Sequence, residues 1–139
     1  MAVSTTVFEN LKKKRKEDFV KTQDKKTYEE IMSDIESVLG SQRPSVPSDL
    51  PKGEWTGQAL KVLEERYLDK DSEGKIIETP DEMMWRVAWA IASAEIRWGA
   101  DREKVMESAK IFYKLMVSRK FLPNSPTLMN AGKGNKLQY

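Results

Sequence analysis

The 139-residue chain contains no cysteine and no histidine. These two absences remove thiolate nucleophiles, disulfides, imidazole bases and any zinc site of ordinary ligand composition. Neither sign of charge is in large excess. The chain has 24 Lys and Arg against 22 Asp and Glu, a net +2 that gives no reason to expect a nucleic-acid partner. No apolar run reaches the length that spans a bilayer, and the opening VSTTVFENLKKKRK lacks the continuous apolar stretch of a signal peptide. A cytoplasmic protein without a membrane segment is the default expectation. What is present is 39% hydrophobic and 33% charged residues, enough for one helix-rich domain with a modest core.

Residues 1–50 differ from the remainder. KKKRKEDFVKTQDKK at 12–26 is dense in charge and poor in aliphatic side chains, the composition of a solvated helix or tail. Its basic run Lys12 to Lys16 is followed by Glu17, Asp18 and Asp24, which weakens a nucleic-acid reading. TYEEIMSDIESVLG then predicts a helix. Thr27 and Glu30 match a capping box, Ile31, Ile35, Val38 and Leu39 form an apolar stripe, and Gly40 suits the stop. SQRPSVPSDLPKG at 41–53, with three prolines and three serines, reads as an extended linker. The domain division expected is therefore a charged, partly helical extension with its linker at 1–50, and a helical domain at 51–139.

In the second region Thr56 is a candidate N-cap, with Ala59, Leu60, Leu63 and Tyr67 along one helix face. DKDSEGK at 69–75 reads as a surface turn. Asp69, Asp71 and Glu73 alternate as calcium ligands do, but Lys75 and Ile77 stand where oxygen donors are required, so a calcium loop is rejected. ETPDEMMWRVAWAIASAEIRWG predicts the strongest helix: Thr79 as N-cap, Pro80 at the first position, Glu82 completing a capping box and Gly99 ending it. Met84, Val87, Ala88, Ile91, Ala94 and Trp98 are its expected core face. Asp101 starts the next helix, with Val105, Ala109, Phe112, Tyr113 and Met116 at helical spacing and Arg119 and Lys120 complementing the dipole at its end. The aromatic and methionine side chains here are read as core rather than as a cofactor pocket.

FLPNSPTLMNAG at 121–132 is the chemically suggestive stretch. Pro123 and Pro126 argue against a continuous helix, since each lacks an N–H and restrains the residue before it. Leu122, Leu128 and Met129 are expected to anchor the segment in a core. Asn124, Ser125 and Thr127 remain able to bond neighbouring backbone or a ligand. On the residues alone, the plainer reading is a structural connection between a helix and a strand.

PNSPTLMNAG resembles the N-terminal substrate-loop motif of the large, catalytic subunit of ribonucleotide reductases. In that family the serine of the Ser-Pro-Thr triplet helps hold the phosphate end of the nucleotide, a role the resemblance gives to Ser125. A hydroxyl suits it, donating to a phosphate oxygen without a countercharge to desolvate. ALKVLEERYLDKDSEGKIIETPDEMMWRVAWAIASAE is similar to the N-terminal helical region of the adenosylcobalamin-dependent, class II reductases, with Met84-Trp85 standing where a phenylalanine is usual. Together the likeness covers about residues 55–139.

The resemblance implies a mainly α fold of about four helices, packed over 55–120 and carrying the substrate loop 121–132. It ends at the entry to a ten-stranded α/β barrel whose strands are missing here. In KGNKLQY, Leu137 and Tyr139 alternate as a strand start would. It further implies reduction of ribonucleotides to deoxyribonucleotides for DNA synthesis, in an allosteric, adenosylcobalamin-using enzyme served by a thioredoxin or glutaredoxin-type reductant. That chemistry needs cysteines, and none is present, so no catalytic residue is expected in this chain. The expectation is an N-terminal piece of a ribonucleoside-diphosphate reductase, inactive alone, that partners the remaining C-terminal part. The competing expectation is a stand-alone helical interaction module derived from such an enzyme.

Overall fold

A single helix, Pro80–Ser93, is buried on every side from Met83 to Trp89, and the other elements are arranged around it. The computed structural model describes residues 6–7, 9–14 and 26–133. Residues 6–7 and 9–14 are helical, and the helices that follow in chain order are α1 (Tyr28–Leu39), α2 (Gly57–Arg66), α3 (Pro80–Ser93), a 3-10 helix (Ala94–Trp98), α4 (Arg102–Val117) and α5 (Ser125–Asn130). The described residues contain no strand, only one isolated antiparallel bridge between Lys70 and Ile76. The mainly α expectation holds. The start of the charged segment, at 12–14, is exposed helix; Arg15 to Asp24, and the strand start proposed at Leu137 and Tyr139, lie outside the described residues.

Local signals place the helix starts where the sequence puts them. Thr27 and Glu30 make both bonds of a capping box. Thr56, Thr79 and Asp101 each accept from a backbone N–H three residues on, and Pro80 occupies the first turn of α3, where a missing N–H costs nothing. α4 ends with Arg119 at φ 61, and Lys120 N–H donates to the Leu115 carbonyl, a Schellman-type closure made without glycine.

Packing departs from the one-face pattern expected of α3. Trp85, Arg86 and Trp89 are buried beside Met84, Val87 and Ala88, whereas Ile91 and Trp98, counted as core from the sequence, are 37% and 58% exposed. A helix at the centre of a bundle buries its whole circumference, so a one-sided stripe under-counts its core. The α-helix also stops at Ser93, whose hydroxyl bonds the Trp89 carbonyl at 2.6 Å, and tightens into the 3-10 helix rather than running to Trp98. α3 packs along α4, burying Val105, Ala109, Tyr113 and Met116. Trp85 lies 5.9 Å from Trp89 and 6.2 Å, edge to face, from Tyr113.

Residues 40–56 hold no helix, and they run over this core. The Trp85 indole donates to the Pro44 carbonyl at 2.8 Å, and the Tyr113 hydroxyl donates to the Pro51 carbonyl at 2.8 Å. Leu39 and Leu50 are buried, and Arg102 donates to the Leu39 carbonyl. Asp81 accepts from both the Gly53 N–H and the Trp55 indole. The buried polar tips of two aromatics are thus satisfied by the backbone of the proline-rich stretch.

Candidate functional site

The segment after α4 is a loop only as far as Asn124. The two prolines do not prevent a short helix, because Pro126 falls in its first turn, where the backbone N–H has no intrahelical partner to lose. Asn124 caps it, its side-chain oxygen accepting from Thr127 N–H at 3.2 Å and from the Thr127 hydroxyl at 2.7 Å. Two of the three polar side chains that the sequence offers for a ligand are therefore bonded to each other. Of the expected anchors, Leu128 is buried, while Leu122 and Met129 are 59% and 37% exposed. Ala131, with no exposed surface, takes over the anchoring.

The other end of α5 is held by a charge inside the core. The last carbonyls of a helix lack intrahelical donors, and here two of them are met by Arg86: Nη1 donates to Ala131 O at 2.6 Å and Nη2 to Leu128 O at 3.1 Å. The guanidinium is itself neutralised by Glu78, with Nε to Oε2 at 3.0 Å and Nη2 to Oε1 at 2.8 Å. Both side chains are at least 95% buried, at 1% and 5% exposure. Glu78 also accepts from Asp69 N–H at 2.8 Å, tying in the turn that precedes it. One fork-to-fork pair therefore joins the 69–78 turn, α3 and α5. Gly132, at φ 76, follows immediately. A Cβ there would lie 3.0 Å from Arg86 Cγ and 3.1 Å from the Arg86 carbonyl.

With α5 fixed at its C-terminal end, Ser125 stands exposed at its start, and its Oγ is 2.8 Å from the Tyr67 hydroxyl at the end of α2. Beside this pair runs an open, largely apolar groove of about 550 Å³ between α2 and the 122–128 segment, lined by Trp55, Val62, Leu63, Met84 and Leu122. Among the described residues no group of three metal-ligating side chains converges. In the 69–75 turn, Asp71 spends its carboxylate on the backbone N–H groups of Glu73 and Lys75. Burial pushes the Tyr113 hydroxyl up to about 12, with the Asp81 charge adding to it. Burial first, then the nearby Arg86 charge, lowers the Arg43 guanidinium.

Sequence reading singles out Ser125 and misses Glu78, Arg86 and the hydroxyl of Tyr67. The available signal was Arg86 itself, one charge in the apolar run MMWRVAWA, where a buried cation demands a partner.

The sequence model of a family described as the ribonucleotide reductase all-alpha domain matches residues 54–136. A vitamin B12-dependent ribonucleoside-diphosphate reductase of Mycobacterium tuberculosis (strain H37Rv) is 43% identical over 76 residues, 53% of this chain and 10% of that protein. The protein of the same description from Thermoplasma acidophilum is 33% identical over a region covering 55% of this chain and 17% of its own. A ribonucleoside-diphosphate reductase large chain of Neurospora crassa is 44% identical over 73 residues, 52% of this chain and 7% of that one. The chain thus spans between 7% and 17% of the length of these relatives. No solved structure matches.

Proposed function

We propose that this chain, which belongs to the ribonucleotide reductase all-alpha domain family, works as the N-terminal helical domain of a ribonucleoside-diphosphate reductase of the adenosylcobalamin-dependent kind. Two of the relatives above carry the B12-dependent description, which supports that class over the others. The reaction replaces the 2′-hydroxyl of a ribonucleotide with hydrogen and supplies deoxyribonucleotides for DNA synthesis.

This chain's part in it is positional. Ser125, exposed at the start of an α5 whose far end is fixed by a buried ion pair, donates its hydroxyl proton to an oxygen of the substrate phosphate. The exposure of Ser125 on a helix held at its far end is the observation that supports the reading. Holding a reactant in place lowers the barrier by an entropic contribution that needs no chemistry from the residues doing the holding. The radical-bearing thiol and the redox pair come from cysteines that these 139 residues do not contain.

Adenosylcobalamin supplies the radical-generating chemistry when bound to the complete enzyme. The residues here do not fit it: the groove beside Ser125, about 550 Å³, is far smaller than a corrin with its nucleotide tail and is lined mainly by apolar side chains. We assign the cofactor, the thioredoxin or glutaredoxin-type reductant and any effector response to the cysteine-bearing remainder, and place the assembled enzyme in the cytoplasm. No helix of the described residues is long and apolar enough to cross a membrane.

Reconstitution tests the reading. The chain, purified and mixed with or joined to the cysteine-bearing remainder, is expected to restore cobalamin-dependent reduction of a ribonucleoside diphosphate and to bind that remainder stably. A remainder that is fully active without this domain would contradict the reading and favour an interaction module.

A further inference from the structure

We infer that Tyr67 is a positioning residue for substrate binding, acting through the hydroxyl of Ser125; the inference rests on the reading that Ser125 contacts the substrate phosphate. The two oxygens lie 2.8 Å apart and come from elements 58 residues distant in the chain. A serine hydroxyl has one proton and two acceptor lone pairs. When its proton goes to a phosphate oxygen, which can only accept, the bond to Tyr67 has one possible direction: Tyr67 donates and Ser125 accepts.

That arrangement does two things for Ser125. It selects the rotamer of a side chain that is otherwise exposed and free to turn, and it polarises the serine O–H toward the anion through a two-bond chain. Tyr67 is itself well placed to set a position. Its backbone N–H closes α2 on the Leu63 carbonyl at 2.9 Å, and the next residue, Leu68, is buried. Tyr67 and Ser125 both line the apolar groove, and their hydroxyls meet there. The site is therefore built by two elements, and the tyrosine supplies the α2 half.

The test is a double-mutant cycle in the assembled reductase, measuring kcat and KM for a ribonucleoside diphosphate in the unaltered enzyme, Y67F, S125A and Y67F/S125A. Thermal unfolding of each is recorded alongside. Phenylalanine keeps the ring in the groove and removes only the hydroxyl. Y67F is expected to raise KM about three- to tenfold with a smaller change in kcat, the effect of one hydrogen bond of ordinary net strength. S125A is expected to raise KM at least as much, and the double variant to match S125A, because a residue acting through Ser125 has nothing left to act on. If S125A weakens binding but Y67F does not, or if the two effects multiply, Tyr67 has no role through Ser125 while the serine keeps its own. If S125A itself leaves KM unchanged, the substrate-serine reading falls and this inference falls with it.

Discussion

The Arg86 guanidinium donates to the carbonyl of Ala131 at 2.6 Å, a bond between the centre of the buried helix α3 and the residue that closes α5. It joins positions 45 residues apart and is made by a side chain only 1% exposed. The geometry of the Ser125 segment is therefore set from inside the core rather than from the surface loop that carries it.

Removing that charge alone should be costly. Arg86→Met leaves the Glu78 carboxylate buried without its partner, and the expected loss of stability is about 3–5 kcal/mol. Adding Glu78→Gln should recover part of it. Urea unfolding of the two single variants and the pair measures both, and equal, additive losses would show the two side chains to be energetically independent.

The glycines at 132 and 57 should respond oppositely to alanine. Gly132 has φ 76 and its added Cβ would press on Arg86, so Gly132→Ala is expected to destabilise by more than about 1 kcal/mol. Gly57 begins α2 with open space around it, and Gly57→Ala is expected to stabilise by about 0.4–1 kcal/mol. Denaturant midpoints with unchanged slope would check both.

Tyr113 predicts a pH dependence at the alkaline end. Its pKa is raised in the folded protein from the ordinary 10.0 to about 12, so the folded state holds the proton more tightly. The stability this gives is fully present below pH 10.0 and is lost as pH rises through about 12. The difference in stability between the unaltered protein and Tyr113→Phe, followed from pH 9 to 12 by chemical unfolding, should shift in favour of Phe above about pH 10. A constant difference across that range would contradict the burial argument.

The caps at Thr27, Thr56, Thr79 and Asp101 were legible because each is decided by three or four adjacent residues. So was the core face of α4, a helix packed on one side and exposed on the other. The circumference of α3 was not, since periodicity finds one face and this helix buries all of them, leaving Arg86 outside the expected set. Pro126 misled for a local reason: a proline stops a helix from within but is tolerated in its first turn. Ser125 was found through its neighbours in the motif. Its partner Tyr67 was not, because only the folded chain brings α2 to α5.

The contact proposed between Ser125 and the phosphate of a ribonucleotide is open to a single kinetic test. The most direct measurement is the KM for a ribonucleoside diphosphate in the reconstituted reductase carrying Ser125→Ala, with the thermal midpoint recorded to show that the domain remains folded. A hydrogen bond to a charged oxygen contributes about 1.5–3 kcal/mol, so a rise in KM of roughly ten- to a hundredfold is predicted. An unchanged KM and kcat in a folded variant would contradict the assignment and return this segment to a purely structural connection.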